Sequence, residues 1–146
     1  EVLEVKSLDE LDQLGSSQIA NKIVFFNRPM DPRPLNTFNA YGSAADQRGS
    51  GAARAAKYGA AAVLVRSLTN QLDAHPHTGG MSYQPGIPQI PALGISTLDA
   101  EILSDLLKKE VYVLSSTKRG RLLIQISLKN VIYILRSLLS FVNDKV

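Results

Sequence analysis

At 146 residues, with 45% hydrophobic and 20% charged residues, the chain has the size and composition of one globular domain that can bury a core. Its net charge of +3 is modest, and the densest basic group, residues 118–121, has no interleaved aromatic side chains, so we expect no nucleic-acid partner. There is no cysteine, which excludes thiol catalysis, disulfides and cysteine-based zinc sites. No stretch reaches the ~18 uninterrupted apolar residues of a transmembrane helix, so we expect no membrane span.

The chain opens with a helix signal, a strand signal and a loop signal. Residues 8–15 predict a short helix, with Ser7 as its N-cap and Gly15 as its end. Residues 22–27 (KIVFFN) are β-branched and aromatic, which predicts a buried strand. The prolines of residues 28–34 prevent regular hydrogen bonding and predict a loop.

An alanine-rich stretch then leads directly into a second strand. Residues 43–58 predict one helix that ends at Gly59, and the small side chains of this helix allow a close approach to a sheet. Residues 60–66 (AAAVLVR) predict another buried strand. The order strand, helix, strand favours a parallel pair of strands and hence an α/β fold.

The clearest helix signal covers residues 96–109, and strand signals follow it. Ser96 is positioned to cap this helix, with Asp99 three residues later as in a capping box. A set of apolar side chains recurs at helical spacing and predicts one buried face. These are Leu98, Ile102, Leu103, Leu106 and Leu107. Further strands are predicted over residues 111–114 and 122–126.

Residues 131–143 predict an amphipathic helix, because apolar side chains recur on one side while Arg136, Ser140 and Asn143 lie on the other. The partner of its apolar face is this domain, another chain (a second copy of the protein included), or a surface outside the sequence. Because the sequence begins at Glu1, with neither an initiator methionine nor a signal peptide, we expect a processed piece of a longer protein.

Both histidines stand in the proline-rich segment 75–96. Asp73, His75 and His77 alternate along the chain and would share one face of an extended segment, so they are the candidate metal ligands. A zinc site still needs a third or fourth ligand and partners that orient the imidazoles, and Pro76 distorts any strand here. We therefore favour histidines in a polar surface loop over a metal site.

The residue patterns contain no self-contained catalytic set. The sequence lacks the G-x-S-x-G elbow of a serine nucleophile and has no cysteine nucleophile, and its carboxylates are scattered. The glycine pair of residues 49–51 lacks the third glycine of a phosphate-binding loop. These observations predict no catalytic residue in the chain and leave open whether its parent protein is an enzyme.

Residues 22–109, about three-fifths of the chain, resemble a protease-associated (PA) domain. KIV and NRP within residues 22–29 belong to the match, and AAKYGAAAVLVRS at residues 55–67 is typical of PA domains generally. PHTG at residues 76–79, followed by IPQIPA at residues 87–92, is most similar to the PA domain inserted in secreted zinc exopeptidases of the carboxypeptidase Q (plasma glutamate carboxypeptidase) type.

The resemblance implies a swivelling β/β/α fold, a small barrel-like sheet flanked by helices, over residues 1–117, with residues 118–146 as a C-terminal strand and amphipathic tail. It implies a non-catalytic lid, substrate-access or interaction module beside the catalytic domain of a zinc exopeptidase-like protein, located outside the cell, in the secretory pathway or in the periplasm. A histidine–x–aspartate motif and a glutamate–glutamate pair hold zinc in that catalytic domain. Neither motif occurs in this sequence, so we expect no cofactor in the chain itself.

Under this hypothesis the loop of residues 75–91 faces the active-site cleft or a partner, and its prolines reduce the backbone entropy lost on binding. His77 and Thr78 supply hydrogen-bonding groups, and Tyr83 offers an amphipathic contact. Arg66 is a candidate carboxylate contact, with a surface residue at the end of a strand as the alternative. Two other hypotheses stay open: a stand-alone PA module that binds peptides or proteins, and part of a functional aminopeptidase or carboxypeptidase chain, which the missing metal ligands disfavour.

Overall fold

A computed structural model describes residues 1–113 of the chain. The chain divides into two units, Glu1–Ser104 and Asp105–Val146, and the sheet belongs to the first. The described elements, in chain order, are β1 (Val2–Val5), α1 (Leu8–Ile19), β2 (Ile23–Phe26), α2 (Thr37–Ala44), α3 (Asp46–Gly49), α4 (Gly51–Lys57), β3 (Ala62–Arg66), β4 (Ala92–Ile95) and α5 (Thr97–Val113).

The strands form a four-stranded sheet in the order β1-β2-β3-β4, and every pair of neighbours is parallel. One row across this sheet runs from Val5 through Phe26 and Val65 to Gly94. Helix α1 connects β1 to β2, and α2 to α4 connect β2 to β3. Parallel strands need such crossovers, because the chain must return to the same end of the sheet. The predicted α/β fold and the parallel pairing of β2 with β3 are confirmed.

The larger apolar cluster lies on the face of the sheet that carries α1 and α4. It contains Val5, Leu11, Ile19, Val24, Phe26, Ala52, Ala55, Ala60, Val63 and Val65. The alanines of α4 allow this helix to lie close to the strands, as the sequence predicts. Helix α5 contributes the buried side chains of Ala100 and Leu103.

Several predicted helix ends are confirmed by their caps. Ser7 Oγ accepts a hydrogen bond from the backbone N–H of Glu10 at 3.0 Å and so caps α1. Ser96 Oγ accepts from the N–H of Asp99 at 3.0 Å at the start of α5. Gly59 follows α4 with φ of +80°, a backbone conformation that favours glycine, and its N–H donates to the carbonyl of Ala56.

The helix predicted over residues 8–15 is interrupted at Gly15 as expected, but α1 does not end there. Gly15 adopts the non-helical angles φ 60° and ψ −177° within α1, and helical structure resumes as far as Ile19. Glycine tolerates this break at little cost. The extra turn brings Ile19, which is fully buried, into the core.

The single alanine-rich helix predicted over residues 43–58 is also wrong, because α2, α3 and α4 replace it. Asn36 caps α2 through a hydrogen bond from the N–H of Phe38 to its Oδ1 at 2.9 Å. Gln47 of α3 is buried and holds the loop after β2, since its Nε2 donates to the carbonyl of Arg28 at 2.8 Å and its Oε1 accepts from the N–H of Arg28 at 3.2 Å.

Strands β1 and β4 were not predicted. β1 is only four residues long at the start of the chain, and β4 follows Pro91 directly within the segment interpreted as a loop. Both become strands because each finds a parallel neighbour, β2 and β3 respectively.

Helix α5 is longer than predicted, and its buried face differs. It runs to Val113, so a strand at 111–113 is wrong. No glycine or proline interrupts residues 97–113, and a helix begun at a good cap continues. Of the predicted face, Leu103 is buried, Leu106 and Leu107 are half-buried, and Leu98 and Ile102 are exposed. The other buried residues of α5 are Ala100 and Ser104. Leu114, the strand predicted over 122–126, the helix predicted over 131–143 and the boundary at residue 117 lie outside the described residues.

Candidate functional site

The loop that joins β3 to β4, residues 67–91, contains the two histidines and lies over the end of β4. Ser67 is its first anchor: the buried hydroxyl donates to the carbonyl of Ile95 at 2.7 Å and accepts from the backbone N–H of His77 at 2.7 Å. A Cβ on Gly94 would stand 3.0 Å from the carbonyl oxygen of His77. The backbone at His77 is therefore held closely against β4.

A second anchor ties the start of the loop to the N-terminus of α5. Thr97 is fully buried, and its Oγ1 accepts from the N–H of Asp73 at 2.8 Å and donates to the carbonyl of Gln71 at 2.9 Å. The N–H of Leu98 donates in turn to the carbonyl of Asp73 at 3.1 Å. Because these partners are backbone groups, Thr97 fixes the path of the chain just before the histidines.

The far side of the loop is closed by Tyr83. Its hydroxyl donates to the carbonyl of Ile90 at 2.6 Å and accepts from the N–H of the same residue at 3.3 Å, while its ring packs against the core. Between Tyr83 and Ile90 the chain makes a tight turn. Gly86 has φ of +81°, and the N–H of Ile87 donates to the carbonyl of Gln84 at 3.1 Å. Proline followed by glycine at residues 85–86 is the pair that a type II turn requires.

Gly79, the first glycine of the HTGG segment, lies against Arg48 of helix α3. A Cβ on Gly79 would stand 2.5 Å from Cζ of Arg48, so only glycine fits without moving that guanidinium. Arg48 is itself held, because it lies 5.2 Å from the ring centroid of Tyr41 and donates to the hydroxyl of that tyrosine. The N–H of Ser82 donates to the carbonyl of Gly49 at 3.1 Å. The loop is thus fixed at four places along its length.

The candidate metal ligands do not form a metal site. His77 Nε2 lies 3.7 Å from Asp73 Oδ2, and Asp73 Oδ1 accepts from the backbone N–H of His75 at 2.8 Å in a local turn. Among residues 1–113 no group of three His, Asp or Glu side chains could hold a metal ion. The zinc that the resemblance implies therefore does not fit the side chains described here.

Arg66, at the end of β3, is buried and makes its ionic contact inside the domain. Its Nη1 donates to Glu101 Oε1 at 2.7 Å and to Asn27 Oδ1 at 3.1 Å. Asn27 Nδ2 donates to Glu4 Oε1 at 2.8 Å, and Lys6 forms an ion pair with the same carboxylate. These side chains form a polar network at the carboxyl ends of β1, β2 and β3.

The network keeps Glu4 ionised. Burial raises the pKa of Glu4, but the hydrogen bonds from Lys6, Asn27 and Ser104 outweigh burial and leave this pKa below its ordinary value of 4.5. Sequence reasoning did not single out Glu4 and Arg48, which lie in no motif, and it used Asn27 only as part of the NRP match. The one available signal is that polar residues stand at, or directly after, the ends of buried strands.

Of the predicted contact residues, His77 and Thr78 are brought together on the surface. The His77 side chain is 41% exposed and Thr78 is exposed, while Tyr83 is half-buried and Arg66 is buried. Two large apolar side chains, Leu72 at 63% exposure and Met81 at 46%, lie in the same loop. Exposed apolar groups close to hydrogen-bonding groups are typical of contact surfaces. None of the helices within residues 1–113 is both long and apolar enough to cross a bilayer.

Comparison with known proteins identifies relatives over most of the chain. The family model described as PA domain matches residues 6–103. Carboxypeptidase Q from Xenopus laevis and that from Homo sapiens are each 38% identical over 120 residues, which is 82% of this chain and 24% of the relative. Carboxypeptidase Q from Mus musculus is 39% identical over 104 residues, or 71% of this chain and 20% of the relative.

A solved structure has the same fold. The crystal structure of a peptidase M28 precursor from Shewanella amazonensis SB2B has a TM-score of 0.69 and 30% identity, and the match covers 75% of this chain and 24% of that one. The chain thus spans about a quarter of the length of the curated relatives it matches. The resemblance to the carboxypeptidase Q type is confirmed, and the chain belongs to the PA domain family.

Proposed function

We propose that the chain is a non-catalytic module of an exopeptidase of the carboxypeptidase Q type, packing beside the catalytic domain and restricting access to its cleft. The observation that carries the proposal is the loop of residues 67–91, which is fixed by Ser67, Thr97 and Tyr83 yet presents His77 and Thr78 outward. A fixed loop loses less conformational entropy when it meets a partner than a mobile one does.

The chemistry of the described side chains supports a non-catalytic role. Asp73 accepts a hydrogen bond in a local turn and Arg66 forms an ion pair with Glu101, so both side chains already make contacts within the domain. Zinc, which the resemblance implies for the parent family, would be bound by the catalytic domain. When bound there, zinc would activate water for hydrolysis, and the part played by this domain would be to limit which substrates reach it.

Within the loop we propose two kinds of residue. His77 and Thr78 contact the catalytic domain or the substrate directly, and Leu72 and Met81 extend the same surface with apolar groups. Tyr83 and Arg66 support the loop from inside the domain, since the Tyr83 hydroxyl and Arg66 Nη1 form hydrogen bonds there. The location proposed for the whole protein is the cell exterior, the secretory pathway or the periplasm, as the resemblance implies.

The first test is to identify the parent protein. Sequencing the transcript on both sides of the 146 codons should reveal a catalytic region with a histidine–x–aspartate motif and a glutamate–glutamate pair. A transcript that encodes neither motif would refute the exopeptidase proposal and favour a stand-alone interaction module.

The second test measures access in that full-length protein. Removing both contact side chains (His77→Ala with Thr78→Ala) should raise KM for short peptide substrates by about three- to tenfold, with kcat nearly constant, because only binding contacts are lost. The matched control replaces two exposed residues of α1 (Gln13→Ala with Gln18→Ala) and should leave both constants unchanged. Equal effects of the two double variants would contradict a specific role for the loop.

A further inference from the structure

A cleft of about 200 Å³ opens between the start of α1, the helix α4 and the loop at residues 82–84. Leu8 and Ala53 form its apolar part, and Ala53 is only 8% exposed. The volume is below the ~300 Å³ at which pockets begin to hold drug-sized molecules, so the cleft suits one or two amino-acid residues of a ligand.

One wall of the cleft is basic. Arg54 and Lys57 are three residues apart on α4, so their side chains share one face of the helix. Arg54 Nη2 lies 3.4 Å from Asp12 Oδ2, which partly neutralises it, and Asp12 also accepts from the hydroxyl of Tyr58 at 2.9 Å. Lys57 has no acidic partner within residues 1–113. The cleft therefore carries a net positive charge.

The remaining lining groups are neutral hydrogen-bond donors. Ser50 precedes α4 but its hydroxyl makes no capping hydrogen bond, so it is free to donate into the cleft. Ser82 is fixed on the opposite side by the hydrogen bond from its backbone N–H to the carbonyl of Gly49 at 3.1 Å. Gln84 adds a side-chain amide. Cations together with hydroxyl and amide donors are the groups that bind a carboxylate.

We propose that this cleft binds the carboxylate of a peptide. Lys57 and Arg54 supply the charge, Ser50 and Ser82 donate hydrogen bonds, and the aliphatic part of the ligand lies on Leu8 and Ala53. The apolar part of the cleft favours a carboxylate carried on an aliphatic group over a free phosphate ion. The site lies within the domain itself and is independent of the function proposed above.

The test is an NMR titration of the 146-residue chain with three short ligands. Acetyl-Ala-Leu carries a terminal carboxylate, its C-terminal amide carries none, and the amide of acetyl-Glu carries only a side-chain carboxylate. We expect acetyl-Ala-Leu to bind with a Kd of about 1 mM and to shift the amide signals of residues 50–57 and 82–84. The amide should bind at least about tenfold more weakly, because it lacks the charge. Comparison with acetyl-Glu amide distinguishes a chain terminus from an acidic side chain.

Two lysine-to-glutamine variants, one inside and one outside the cleft, test the role of the positive charge. Lys57→Gln should weaken binding by up to about fivefold, the upper end of what one exposed charge contributes. Lys22→Gln removes a lysine that does not line the cleft and should leave the affinity unchanged. Equal binding of acetyl-Ala-Leu and its amide, no effect of Lys57→Gln, or tighter binding of inorganic phosphate than of the peptide would overturn the proposal. Because this test uses the chain alone, its result does not depend on a parent peptidase.

Discussion

The close packing of α4 on the sheet leads to a prediction about two glycines. Gly51 is the first residue of α4, and a Cβ there would stand 2.8 Å from Cε2 and 3.1 Å from Cδ2 of Phe26. The Phe26 ring is fully buried and cannot swing into solvent. Gly51→Ala must therefore move either the ring or the helix.

Gly42, within α2, provides the opposite case. A Cβ at Gly42 would meet nothing within 4 Å, and the residue is exposed. Gly42→Ala adds a methyl group without a clash and reduces the entropy of the unfolded chain. The same glycine-to-alanine change is thus expected to lower the free energy of unfolding at Gly51 and to raise it at Gly42.

The magnitudes follow from packing and helix propensity. Inserting a methyl group into a well-packed core costs about 1–3 kcal/mol, and the propensity gain of alanine at the end of a helix offsets only part of that. We expect Gly51→Ala to lower the free energy of unfolding by about 1–2 kcal/mol, and Gly42→Ala to raise it by about 0.5–1 kcal/mol. In a domain of this size, 1 kcal/mol corresponds to about 4 °C in Tm.

The assay is urea unfolding of the three proteins followed by far-ultraviolet circular dichroism, with thermal melts in parallel. A Gly51→Ala variant as stable as the parent sequence, or a destabilised Gly42→Ala variant, would refute the packing argument. Unchanged m-values would show that the variants differ in stability and not in the compactness of either state.

Two further predictions concern the anchors and the polar network. Thr97→Val preserves shape but leaves the N–H of Asp73 without its partner, so we expect a loss of about 1–3 kcal/mol and faster hydrogen exchange at that amide. Thr69→Val is the control at a more exposed hydrogen bond and should cost less than about 0.5 kcal/mol. Since the folded-state pKa of Glu4 lies below 4.5, its contribution to stability is complete above pH 4.5 and is lost as the pH falls through that lowered pKa. Glu4→Gln should therefore weaken the fall of the urea-unfolding midpoint as the pH drops below 4.5. A midpoint that depends on pH as steeply as in the parent sequence would contradict the network.

The sequence by itself determined the local features of this protein. β2 and β3 are predicted because their β-branched and aromatic runs suit a strand buried on both faces. The caps at Ser7 and Ser96 and the stop at Gly59 are predicted because each depends on one side chain, or one φ angle, and its nearest neighbours. The similarity of residues 55–67 and 76–92 to PA domains then indicated the fold.

Only the tertiary structure decided which groups meet across long sequence separations. Arginine is usually a surface residue, but Arg66 is buried, and its Nη1 donates to Asn27, 39 residues away, and to the carboxylate of Glu101, 35 residues away. Leu98 and Leu103 carry the same side chain and lie on the same helix, yet Leu98 is exposed and Leu103 is buried. Local propensity and apolar periodicity depend on neighbouring residues, whereas burial and pairing depend on the surfaces that the fold brings together. For the same reason, the basic cleft at α4 could not be predicted from Lys57, Ser50 and Ser82 before the loop and helix were in place.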